Sequence, residues 1–239
     1  MASTASQRVP EGIEDRSAAV WGGAGIALGS LGVVVTSAFY LASPQAAAMP
    51  HATLDLNLAI EGAVRGAGTM RLAGFFGVLG DVTIAAAALM IGIDQITRKR
   101  AATAFGWLLI SICVVLFAIV DSMVGYVLSP VASQAGGGAQ AGAGAFLAVK
   151  SLFDTLFLLG TTAFGAGATL ALGADALGRA RDVSRVLAVP AVIIGLAGAV
   201  AGILCLAGAD VHVLIGPSVV GNAVVFTLVG LQLARAKGR

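Results

Sequence analysis

Cysteine and histidine are nearly missing from this sequence, and charge is thin. Its two cysteines, Cys113 and Cys205, each stand inside an apolar run, which excludes a disulfide framework and any CxxC redox or zinc site. The two histidines, His51 and His212, exclude HExxH metal chemistry and leave bis-histidine haem ligation to that one pair, so no cofactor is expected. Charged residues make up 11% of the chain, against about a quarter in a soluble domain. The formal net charge of +2 is too small to point to a nucleic-acid partner. What is there instead is apolar: 58% of the residues, with a mean hydropathy of +0.97. No water-soluble core hides that much surface, so the main partner is the lipid bilayer and the chain reads as an integral membrane protein.

Apolar runs of about 20 residues, the length that crosses a bilayer, recur at roughly 18–42, 72–93, 104–128, 146–173, 186–208 and 211–233. The predicted fold is an all-α bundle of six transmembrane helices, one domain over 18–235, between a tail at 1–17 and another at 236–239. The first run exceeds a signal-peptide core and is read as a retained helix, with Ala42-Ser43-Pro44-Gln45-Ala46 the stretch that resembles a cleavage site. Basic residues set the orientation, because Lys and Arg stay on the cytoplasmic side of short loops. Eleven of the 14 (Arg8, Arg16, Arg98, Lys99, Arg100, Arg179, Arg181, Arg185, Arg235, Lys237 and Arg239) fall inside if both termini are cytoplasmic, leaving Arg65, Arg71 and Lys150 outside. The expectation is therefore N-in and C-in, multi-pass, in a bacterial-type plasma membrane.

Segment 43–70 has structure of its own. Leu54, Leu58 and Ile60 alternate with Asp55, Asn57 and Glu61, and Glu61 precedes Arg65 by one helical turn, which predicts a short amphipathic helix on the outer surface. The Gly/Ala-rich stretch 129–145 reads as an interruption. Gly25 and Gly29, then Gly74, Gly77 and Gly80, then Gly198 and Gly202 recur at helix-packing spacing, where small residues let backbones approach in lipid. Pro190 is placed in the opening turn of the fifth helix and Pro217 a little inside the sixth, where it would bend the chain before Asn222. The ends of the second and fourth helices (Leu89, Gly92, Asp94, Arg98 over Leu170, Gly173, Asp175, Arg179) superimpose as a weak repeat, which common interfacial chemistry also explains.

Three acids lie inside apolar runs, Asp81, Asp121 and Asp154, and each costs about 2.5–3.5 kcal/mol on insertion scales, so each is a functional candidate. At a rise of about 1.5 Å per residue they fall about 15, 13 and 6 Å from the outer ends of their helices. Asn222 lies as deep as Asp81, and Thr36, Ser37, Ser122, Tyr126, Thr155, Cys205 and Ser218 share this outer half. The pattern predicts a polar vestibule open outward, with carboxylates stepping down from Asp154 through Asp121 to Asp81. Such groups suit proton exchange or a cation site that alternates between protonated and bound states. Lys150 and Asp154, spaced i and i+4, stand at the entrance or form a simple interfacial pair. Asp94, Asp175 and Asp182 beside the arginines read as solvated pairs. An all-oxygen metal site from the three acids and Asn222 would have too few ligands, so no metal is expected. No GxSxG, HExxH, P-loop or prenyl-diphosphate motif occurs, and Asp210 with His212 lacks a nucleophile, so no catalytic residue and no enzyme is expected.

The run Met70-Arg71-Leu72 opening the second helix, the long outer first loop, and Ser184-Arg185-Val186-Leu187 followed by Gly195 resemble bacterial six-helix membrane proteins grouped as a domain of unknown function. The resemblance covers the layout of roughly residues 20–205 and implies fold and membrane location, with no site carried over. Two functional readings stand. One is a small transporter or proton- or cation-coupled binding protein that uses Asp81, Asp121 and Asn222, with Asp154 and Lys150 at the entrance, for a small ion or molecule. The other is a non-catalytic scaffold or partner subunit, as homo-oligomer or with a membrane partner, whose acids are structural.

Overall fold

The structure is a computed structural model that describes residues 14–42, 55–135 and 140–235. All of its elements are helical: α1 (Glu14–Ala42), α2 (Leu56–Arg65), α3 (Ala67–Thr97), α4 (Ala101–Met123), a π-helical stretch (Val124–Leu128), α5 (Ser129–Ala135), α6 (Gln140–Ala176), α7 (Arg185–Leu206), a 3-10 turn (His212–Leu214) and α8 (Ile215–Arg235). Six spans among the described residues are long and apolar enough to cross a membrane: α1, α3, the continuous rod from α4 through α5, α6, α7 and α8. The side chains agree with a lipid setting, since Leu28, Ile112 and Ile193 are 66%, 65% and 60% exposed. Large apolar residues face outward, while alanine and glycine fill the helix contacts.

The helices close a ring in chain order: α1 on α3, α3 on α4, α4 on α6, α6 on α7, α7 on α8, and α8 back on α1. Small residues make the crossings, as their spacing predicts. A Cβ on Gly29 would stand 2.6 Å from the Gly80 carbonyl oxygen, and one on Gly80 2.7 Å from that of Gly29, so α1 and α3 meet backbone to backbone. Gly25 meets Ala87, while Gly198 and Gly202 meet Ser218 and Thr162.

Several boundaries move. Residues 129–135 and those from 140 onward are helical, not an interruption, because alanine is the best helix former and the lone Pro130 falls at a register change. Pro130 has no N–H to give the Tyr126 carbonyl, and the π-helical stretch lies just ahead of it. The two inner prolines exchange roles. Helix α7 starts at Arg185, so Pro190 sits in its second turn and deprives the Val186 carbonyl of a partner; α8 starts at Ile215, so Pro217 occupies an opening turn that needs no N–H.

The amphipathic segment is helix α2, capped by Asp55, whose carboxylate accepts from Asn57 N at 3.0 Å and Leu58 N at 3.2 Å. Its buried side is Ala59, Ile60 and Gly62, and Leu58 faces outward, contrary to the alternation, because a 3.6-residue period carries 56, 59 and 60 to one face. Leu54, the cleavage-like residues from 43 on, His51 and the tails at 1–13 and 236–239 lie outside the described residues.

One end of the ring gathers the arginines. Arg98 pairs with Asp94 at 2.9 Å and Arg100 pairs with Asp182, which ties the α3–α4 turn to the α6–α7 loop. Asp175 is not a solvated pair: it is 2% exposed and accepts from the backbone N–H groups of Asp182 (2.9 Å) and Val183 (3.2 Å), fixing that loop. Gln232 of α8 accepts from Ser184 at the same end, so turns and helices are cross-linked there.

Candidate functional site

Within the ring, toward the end opposite the Arg98, Arg100 and Asp182 cluster, lies a cavity of about 180 Å³ walled by α1, α3, α4, α6 and α8. It runs from Leu41, 75% exposed at the rim, to Phe226, 1% exposed at the floor. Below that floor Trp107 meets the Phe226 ring edge-on at 6.1 Å, and Phe164 lies 5.0 Å from it, so an aromatic plug separates the cavity from the basic end.

Asp81, Asp121 and Asn222 all line this space. The Asp81 and Asp121 carboxyls lie close enough to feel each other's charge, with Tyr40 beside Asp121 on the same wall. Asp81 is 2% exposed and Asn222 6%, yet no donor reaches Asp81 Oδ2 and Asn222 Oδ1 has no partner. Buried polar atoms in folded proteins are nearly always paired, so both oxygens keep acceptor capacity for a donor in the cavity. Among the described residues no Lys, Arg or His lines the cavity, and two ionised carboxylates close together in an apolar shell repel each other.

Gly77 explains how Asp121 reaches this position. A Cβ on Gly77 would fall on the Asp121 carboxyl itself, and one on Gly74, a turn earlier, 2.7 Å from the Gly125 Cα. The glycines of α3 thus form a socket into which α4 presses its acid, one turn from Asp81. Thr36, Ser37 and Thr161 line the cavity, and their hydroxyls donate to the carbonyls of Ala73, Val33 and Phe157 at 3.1, 2.9 and 2.8 Å, which uses their protons and keeps their acceptor capacity.

Asp154 and Lys150 do not line the cavity, so the stepwise descent of three acids is not the arrangement found. They form a buried ion pair on α6, with the Lys150 ammonium 5.3 Å from the centre of the Phe153 ring, whose other neighbour is Phe157. The two charges stand behind the aromatic wall. Of the other polar residues of that half, Ser122, Tyr126, Thr155, Cys205 and Ser218 also lie off the cavity.

Sequence reasoning missed the walls. Phe153, Phe157, Thr161 and Phe164 recur at steps that keep them on one face of α6, and Ser30, Val33, Ser37 and Tyr40 do so on α1. Such faces look like ordinary packing until the ring places them opposite one another. Comparison with protein-family models, with curated proteins and with solved structures finds no match for the chain.

Proposed function

We propose that this polytopic membrane protein is a small transporter or proton- or cation-coupled binding protein whose site is the Asp81–Asp121 pair. The observation that carries the reading is that two carboxyls line one cavity to which, among the described residues, no basic side chain contributes. A proton on the pair or a cation between the two removes the repulsion, so the site exchanges one for the other. Asn222 offers its unpartnered oxygen as the orienting group, and Lys150 with Asp154 braces the wall. The chain is taken as N-in and C-in, which turns the cavity to the outer face and its aromatic plug inward. A scaffold would need its glycine faces free for a partner, whereas Gly25, Gly29, Gly74, Gly77 and Gly80 are engaged within the ring.

Ligand linkage tests the reading. A group that binds the native state alone stabilises it by about 2.7 kcal/mol at about 100-fold excess over Kd. Thermal unfolding in detergent, followed by the fluorescence of buried Trp107 and exposed Trp21, is measured across pH and a panel of mono- and divalent cations. The expected result is a midpoint that depends on pH or on a cation in the wild type and loses that dependence in Asp81→Asn and Asp121→Asn. A response identical in all three proteins rejects the carboxyl pair as a binding site.

A further inference from the structure

The walls of the cavity say which cation. We infer that the site binds a lipophilic primary ammonium, an amine about the size of benzylamine, in preference to a metal ion; this rests on the carboxyl-pair reading above. An ammonium has three N–H donors and one positive charge. The cavity supplies three strong acceptors, Asp81 Oδ2, Asn222 Oδ1 and the Asp121 carboxyl, two of them buried without a donor. Calcium takes 6–8 oxygen ligands, and among the described residues no cluster of three acidic, histidine or cysteine side chains exists to hold a metal.

The remainder of the ligand is dictated by the aromatic rings. Phe117 and Phe157 meet edge-on at 5.7 Å, Phe153 stacks on Phe157 at 6.0 Å, and Phe164 closes toward the floor. Aromatic faces attract a desolvated ammonium and receive an apolar body. The space of about 180 Å³ exceeds the roughly 150 Å³ cavity that is known to take benzene. Charge balances simply: the arriving ammonium replaces the proton on the carboxyl pair, which leaves to solvent.

Benzylammonium, its neutral counterpart benzyl alcohol, benzyltrimethylammonium, and sodium and potassium chloride are compared by thermal shift and by titration calorimetry on the detergent-purified protein. Benzylammonium is expected to bind saturably, benzyl alcohol at least about tenfold more weakly, and benzyltrimethylammonium, which has no N–H, in between. Asp121→Asn is expected to lose benzylammonium binding, and Phe157→Leu to weaken it about tenfold through the lost ring. The wild-type comparison needs no variant to fold. Equal binding of benzyl alcohol would reduce the site to an apolar hole and overturn the inference, as would competition by sodium or potassium at the same concentration as the amine. A pH or alkali-cation response lost in the Asn variants, with no effect of benzylammonium, leaves the carboxyl pair standing and refutes the amine alone. Absence of both responses refutes both.

Discussion

Gly77→Ala is expected to unseat Asp121 while leaving the bundle folded. The new methyl would coincide with the Asp121 carboxyl, a short side chain whose Cβ is itself 3.0 Å away, so the acid must rotate or the helices must part. Overpacking of this kind costs about 1–3 kcal/mol, which a lowered thermal midpoint reads directly. The second consequence is specific: with its acid displaced, Gly77→Ala is expected to lose the pH or cation dependence of stability as fully as Asp121→Asn does. Adding Asp121→Ala removes the clashing carboxyl and is expected to recover part of the midpoint without restoring the dependence. An unchanged dependence in Gly77→Ala would mean that the seat of Asp121 does not matter to binding.

Asp154→Leu is expected to have the larger effect on stability. Lys150 and Asp154 are 5% and 6% exposed, and removing the carboxylate leaves the Lys150 ammonium behind at about 3–5 kcal/mol. The double variant Lys150→Met with Asp154→Leu is expected to regain most of that loss, because both charges then leave together. Both changes fall behind the Phe153 wall, so the double variant is also expected to keep the ligand linkage of the cavity. A thermal series on the single and double variants checks this. Equal loss of linkage in the double variant would place these two residues in the site after all.

How much of this was legible beforehand depends on the kind of signal. Six spans were plain, because the membrane imposes length and apolarity on every one. Asp81, Asp121 and Asn222 stood out for the same reason: polar groups in lipid need an explanation, and they do share a cavity. Asp154 was equally conspicuous, and its i, i+4 spacing to Lys150 already offered the ion pair found; what spacing does not reveal is that the pair is buried and lies off the cavity. The roles of Pro190 and Pro217 depended on helix starts only a few residues from the predicted ones, and helix ends are the least constrained part of an apolar run. Gly77 was visible only as a packing glycine, because its partner lies on another helix.

The most direct test of the carboxyl pair is chemical. A water-soluble carbodiimide couples to protonated carboxyls that it can reach, and adducts are mapped by mass spectrometry after treatment of sealed vesicles of known sidedness. Asp81 or Asp121 is predicted to react from the outer side, more slowly when benzyltrimethylammonium, which has no N–H to attack the activated carboxyl, is present, with Asp154 unreactive beside Lys150. Reaction from the inner side alone would reverse the orientation. Failure of both Asp81 and Asp121 to react from either side, while the exposed acids Glu61 and Asp55 do, would contradict a reachable carboxyl pair at the heart of the bundle.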